Sequence, residues 1–134
     1  MTELASMMTP SEIASQAARA IRVLNELTHG GGELTSPDDV RDIVTSLELV
    51  GQGLPQLCEQ LARFLVIQHE DGQLTHGSGL DPDGLVTEVI EALAAAGQAA
   101  DMMTAALTEA RAASQVLTPA RHRGWEGRHS ANAD

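Results

Sequence analysis

The sequence predicts an all-α protein: a long antiparallel helical hairpin plus a shorter N-terminal helix, forming a three-helix bundle completed by dimerisation. Three observations predict it. Apolar residues recur at spacings of three and four over long stretches, the signature of one buried helix face. Aromatic residues make up 1% of the 134 residues although hydrophobic residues make up 43%. The core must therefore come from Leu, Val, Ile, Met and Ala, which suit packed helices better than strands. Finally, Thr9-Pro10, Ser36-Pro37 and Asp81-Pro82 each set an N-cap side chain before a proline. Proline at the first helical position loses no needed hydrogen bond and presets φ.

The first helix is expected over 10–28. Thr9 and Glu12 make a capping box, and Ile13, Ala17, Ala20, Ile21, Leu24 and Leu27 mark one face. His29-Gly30-Gly31-Gly32 ends it, since glycine takes the left-handed conformation at a helix C-terminus. This glycine run lacks the spacing, the Lys and the preceding strand of a phosphate loop.

The second helix is expected over 37–68, roughly 48 Å at 1.5 Å per residue. Val40, Leu47, Leu54 and Leu61 stand seven apart, giving a coiled-coil-like repeat. Gly51-Gln52-Gly53-Leu54-Pro55 interrupts it. Proline removes a backbone bond there and crowds the Gly51 carbonyl, so a kink or short break is expected. Residues 70–80 form a polar, glycine-rich loop, short enough to fold the next helix back antiparallel.

The third helix is expected over 82–117, ended by Pro119. Its middle, Ala92 to Leu107, is mostly alanine, interrupted by Gly97, Gln98, Asp101 and Thr104. Small residues permit close helix axes but contribute little buried area each. With the first helix about half as long, part of the hairpin is left without cover. A homodimer that completes a four-helix core follows as the expectation. The residues expected to carry it are Leu54, Leu57, Leu61, Leu93, Ala96, Ala100, Met103 and Leu107. Residues 1–118 are read as one helical domain, and 119–134 as a disordered tail without apolar periodicity.

Charge narrows the function classes. The formal net charge is −11 and all eight basic residues are Arg. Residues 1–118 carry five of them against seventeen acids. Phosphate binding relies on clustered cations, so nucleic acid is not an expected partner. No run of apolar residues is long enough for a membrane span. No basic-plus-apolar leader is visible, so a cytoplasmic protein is expected.

Chemistry-bearing residues are sparse. Cys58 is the only cysteine, so an intramolecular disulfide is impossible and a packed small side chain is the expectation. His69 and His76, with Glu70, Asp71, Asp81 and Asp83, offer nitrogen and oxygen ligands without the spacing of an established metal site. Asp38/Asp42 and Glu88/Glu91 fall at helical spacing as solvated acids. No nucleophile elbow or activated thiol is visible. Catalytic residues, cofactor and metal are therefore all expected to be none.

In the tail, Trp125-Glu126-Gly127 resembles the W-x-G tripeptide of small acidic helical-hairpin proteins, a secreted family exported by actinobacterial type VII systems. That family places the tripeptide in the turn between its helices and adds a Tyr-containing export signal. Here the tripeptide follows the last helix and the chain has no Tyr, so the family's function is not carried over. The Trp remains a candidate anchor for a partner.

The function expected is a non-catalytic association module: an adaptor, assembly or regulatory subunit acting through apolar helix faces. A small-ligand or metal-binding bundle is the first alternative and would use Gln98, Asp101 and Ser114 as core polar groups. A small transcriptional regulator is the second, and it lacks a basic recognition helix.

Overall fold

The structure is a computed structural model that describes residues 7–120. The tail with Trp125-Glu126-Gly127 and its Arg/His pairs lies outside the described residues. All regular structure within them is helical: α1 (Pro10–Thr28), a short 3₁₀ turn (His29–Gly31), α2 (Pro37–Glu70) and α3 (Asp83–Ser114). No helix among the described residues is long and apolar enough to cross a membrane.

Contacts group the chain into two units divided after Ser36, one holding α1 and one holding α2 and α3. On α1 the apolar residues Ile13, Ile21, Val23 and Leu27 are exposed, and none of its residues is buried.

The helix starts follow local chemistry. Glu12 N–H donates to Thr9 Oγ1, and Thr9 N–H donates to Glu12 Oε1, each at 3.2 Å, closing the capping box. The Thr9 N–H, and then the Thr9 hydroxyl, hold the Glu12 carboxyl below its ordinary range. α3 starts at Asp83, one residue later than expected, with Pro82 at the N-cap, and Asp81 Oδ1 accepts from Asp83 N–H at 3.0 Å across it. That bond, ahead of the nearby His69, holds the Asp81 carboxyl below its ordinary range.

Two helix ends differ from expectation. α2 runs to Glu70, two residues further, because the stop is Gly72 at φ 70. Gln73 N–H donates to Gln68 O and Gly72 N–H to His69 O, the paired closure of a Schellman motif. Polar residues 68–71 continue the helix although the apolar pattern has ended. α3 stops at Ser114, three residues early. The Ser114 hydroxyl donates to Arg111 O at 2.9 Å, competing for a carbonyl of the last turn. The next amides close shorter, three-residue bonds.

α2 is one continuous helix with Pro55 inside it, so the short break considered for residues 51–55 does not occur. α2 and α3 pack along their length as an antiparallel hairpin. Glu48 meets Arg111, Gly51 meets Thr104, Pro55 and Cys58 meet Gly97, and His69 meets Asp83. Each step forward on α2 is a step backward on α3.

Candidate functional site

The hairpin seam is narrow. Glu48, Gly51, Gly97, Ala100 and Ser114 are its buried residues, and Ala100 is the only buried hydrophobic one among the described residues. Two glycines, Gly51 and Gly97, lie in the seam. A Cβ on Gly51 would overlap Thr104 Oγ1 and come within 3.1 Å of Met103 Cε. A Cβ on Gly97 would stand 3.5 Å from Pro55 Cα, an ordinary contact. Gly51 is thus required by the close crossing, and Gly97 is not.

One turn away, a carboxylate is held inside the seam. Glu48 is 7% exposed. Its Oε1 accepts from Arg111 Nε at 2.6 Å, and Oε2 accepts from Thr108 Oγ1 at 2.5 Å and from Arg111 Nη2 at 3.4 Å. Thr108 Oγ1 also lies 2.9 Å from Thr104 O. It has one proton, and the shorter distance and the negative charge assign that proton to Glu48. The Arg111 side chain and then the Thr108 hydroxyl hold the Glu48 carboxyl below its ordinary range against the opposing effect of burial. Glu48 in turn raises the Arg111 guanidinium. This network was missed by the sequence reading, which treated acids as surface. The available signal was phase: Glu48 shares the stripe of Val44, Gly51, Pro55 and Cys58, and Arg111 that of Thr104 and Ser114.

Flanking the seam, the two sides of the hairpin differ in character. Residues one position before each seam residue lie about 100° round the helix. On α2 these are Leu47, Val50, Leu54, Leu57, Leu61 and Phe64. On α3 they are Val89, Ala92, Ala96, Ala99 and Met103. In an antiparallel pair both rows fall on the same side. The rows one position after the seam hold Leu49, Gln52, Gln56, Glu59 and Arg63 on α2 and Ala94, Gln98, Asp101 and Ala105 on α3, and the polar ones among them line grooves on the opposite side. The charged and amide side chains of the middle of the hairpin are therefore gathered on one side, the polar side, and the other, the apolar side, carries none.

On the apolar side Val50, Leu57, Leu61, Phe64, Val89 and Met103 are exposed, Leu61 by 49% and Phe64 by 60%. The residues expected to carry association divide accordingly. Ala100 is buried in the seam, Leu54, Leu93 and Leu107 are half-buried at its edge, and Leu57, Leu61, Ala96 and Met103 are exposed on the apolar side.

The polar candidates do not converge. Gln98 and Asp101 are exposed on the polar side, and buried Ser114 spends its hydroxyl on Arg111 O. Cys58 is half-buried beside Gly97. Asp38, Asp42, Glu88 and Glu91 are exposed, and Glu59 pairs with Arg63 at 2.7 Å. In the loop region His69 Nε2 contacts Asp83 Oδ1 at 2.6 Å. His76 Nδ1 instead accepts from Ser78 N–H at 3.1 Å, its ring turned to its own turn. Among the described residues no group of three His, Cys, Asp or Glu is placed to hold a metal ion. No family model, no curated protein and no solved structure matches the chain.

Proposed function

We propose that this chain is a non-catalytic helical association module that works through the apolar side of the α2–α3 hairpin. One observation carries the proposal: Val50, Leu57, Leu61 and Phe64 stand exposed in one row beside a seam in which Ala100 is the only buried hydrophobic residue among the described residues. Covering a half-exposed Leu contributes about 1 kcal/mol, so the row from Val50 to Phe64 and its α3 neighbours supply a strong drive toward a protein surface. Exposed apolar area of this extent on a soluble-length helix pair marks an interaction site. The polar residues support the same reading, because the buried ones are satisfied inside the seam and are not directed at a ligand space.

The test is a Leu57→Glu, Leu61→Glu double variant against a polar-side control, Gln52→Glu with Gln56→Glu. Mass in solution is read by light scattering, and exposed apolar surface by fluorescence of anilinonaphthalene sulfonate. The apolar-side variant is expected to change one or both readouts and the control neither. If both readouts ignore the Leu substitutions, the apolar side is not an association surface.

A further inference from the structure

We infer that the partner of the apolar side is a second copy of the same hairpin. The two copies are related by a two-fold axis parallel to the helices, so that α2 of each lies on α3 of the other and both loops sit at one end. This rests on the association reading above and adds the identity and arrangement of the partner.

Charge is the first reason. A chain of net charge −11 can pair with itself only where its acids are kept out of the contact. Over 47–61 and 92–108 the ionisable side chains are Glu48, Cys58, Glu59 and Asp101. Glu48 is turned into the seam against Arg111, and Cys58 is half-buried in it. Glu59 and Asp101 line the polar-side groove. The middle of the apolar side is thus free of charge, in an otherwise acidic molecule. It offers a basic or acidic partner nothing to pair with, and it offers a second copy no repulsion.

Relief is the second reason. A two-fold contact must be self-complementary. At the level where Pro55 and Cys58 meet Gly97, α2 presents Leu57 and Leu61 while α3 presents Ala96 and Ala92. A two-fold axis along the helices carries the large row of each copy onto the small row of the other at the same level. An axis across the helices would set large on large and alanine on alanine. The first arrangement interdigitates, while both axes make every neighbouring helix pair antiparallel, as in a four-helix bundle.

Area sets the strength of the contact. The apolar rows from Leu47 to Phe64 span about 26 Å, which at a width of roughly 20 Å gives on the order of 500 Å² per copy. Interfaces of that size are weak or transient ones, so the pairing is read at high protein concentration.

The experiment uses the full chain with Cys58→Ala and a spin label on Gln73→Cys beside the loop, at about 500 µM, a concentration suited to a weak interface. The expected result is a two-chain mass and a label separation within about 30 Å, since both loops lie at one end of a bundle two helices wide. Leu57→Glu with Leu61→Glu, and independently Ala96→Glu, should give a one-chain mass with helical circular dichroism retained. The second variant guards against misfolding of the first. A two-chain mass with labels about 50 Å apart, one hairpin length, overturns the arrangement. A one-chain mass overturns self-pairing. If that single chain binds the dye and Leu57→Glu with Leu61→Glu abolishes the binding, the association reading survives with a different partner. If the dye is also indifferent, both fall.

Discussion

Arg111 Nε lies 2.6 Å from Glu48 Oε1, joining two residues sixty-three apart in sequence across the hairpin seam. Breaking a paired seam charge leaves its partner uncompensated in partly desolvated surroundings, which is why one-sided removal destabilises. The pair also has a pH signature. Glu48 is held below its ordinary value of 4.5 in the folded chain. A depressed carboxyl contributes stability that is present above its unfolded pKa and is lost as pH falls through the folded one. The melting temperature should therefore decline as pH drops below about 4.5. Glu48→Gln should melt lower at pH 7 and show a shallower acid decline. Glu12 and Asp81 are shifted the same way, so the slope flattens without vanishing. An unchanged slope would show that Glu48 is not paired in solution.

The two seam glycines should respond oppositely to alanine. Gly97→Ala places a Cβ 3.5 Å from Pro55 Cα, so the helix-propensity gain of about 0.5–1 kcal/mol should appear as added stability. Gly51→Ala overlaps the Thr104 hydroxyl, and Thr104 is β-branched and bonded to Ala100 O at 2.8 Å. Overpacking of that kind costs about 1–3 kcal/mol. Adding Thr104→Ala removes the overlapping atom and should recover part of the loss. Urea denaturation of the four variants completes the cycle. Equal effects of the two alanines would contradict the close crossing at Gly51.

Pro55 lies inside a continuous helix, where it withholds a donor from the Gly51 carbonyl. Pro55→Ala restores that bond and keeps the Cα and Cβ that pack near Gly97. The expected gain is about 1–3 kcal/mol, read as a higher denaturation midpoint at unchanged slope. A loss of stability would mean that the proline shapes the seam.

Thr9→Ala removes the acceptor for Glu12 N–H and one half of the capping box. About 1 kcal/mol of helix-start stability should go with it. Hydrogen exchange is the appropriate measurement, because the loss is local: amides of the first turn of α1 should exchange about fivefold faster, the equivalent of that energy. Thr9→Asp should retain protection.

Helix positions were legible because their causes are local. Thr9, Asp81 and the glycines after α1 act within a few residues, and a linear pattern displays them. The ends of α2 and α3 were misplaced for equally local reasons that the apolar pattern does not report. Gly72, and not the last apolar residue, stops α2, and the Ser114 hydroxyl loosens the end of α3. Heptad spacing finds Leu54, Leu57 and Leu61 together without telling which lie against the partner helix and which remain exposed.

By itself the sequence determined that this chain is helical and where its long helices begin. Only the tertiary structure decided which stripe of each helix turns inward. A helix surface is a cylinder with several plausible faces, and the close crossing at Gly51 selects one of them by sterics. That choice placed Glu48 and Arg111 inside the seam. It left Leu57, Leu61 and Phe64 outside it, exposed on the apolar side.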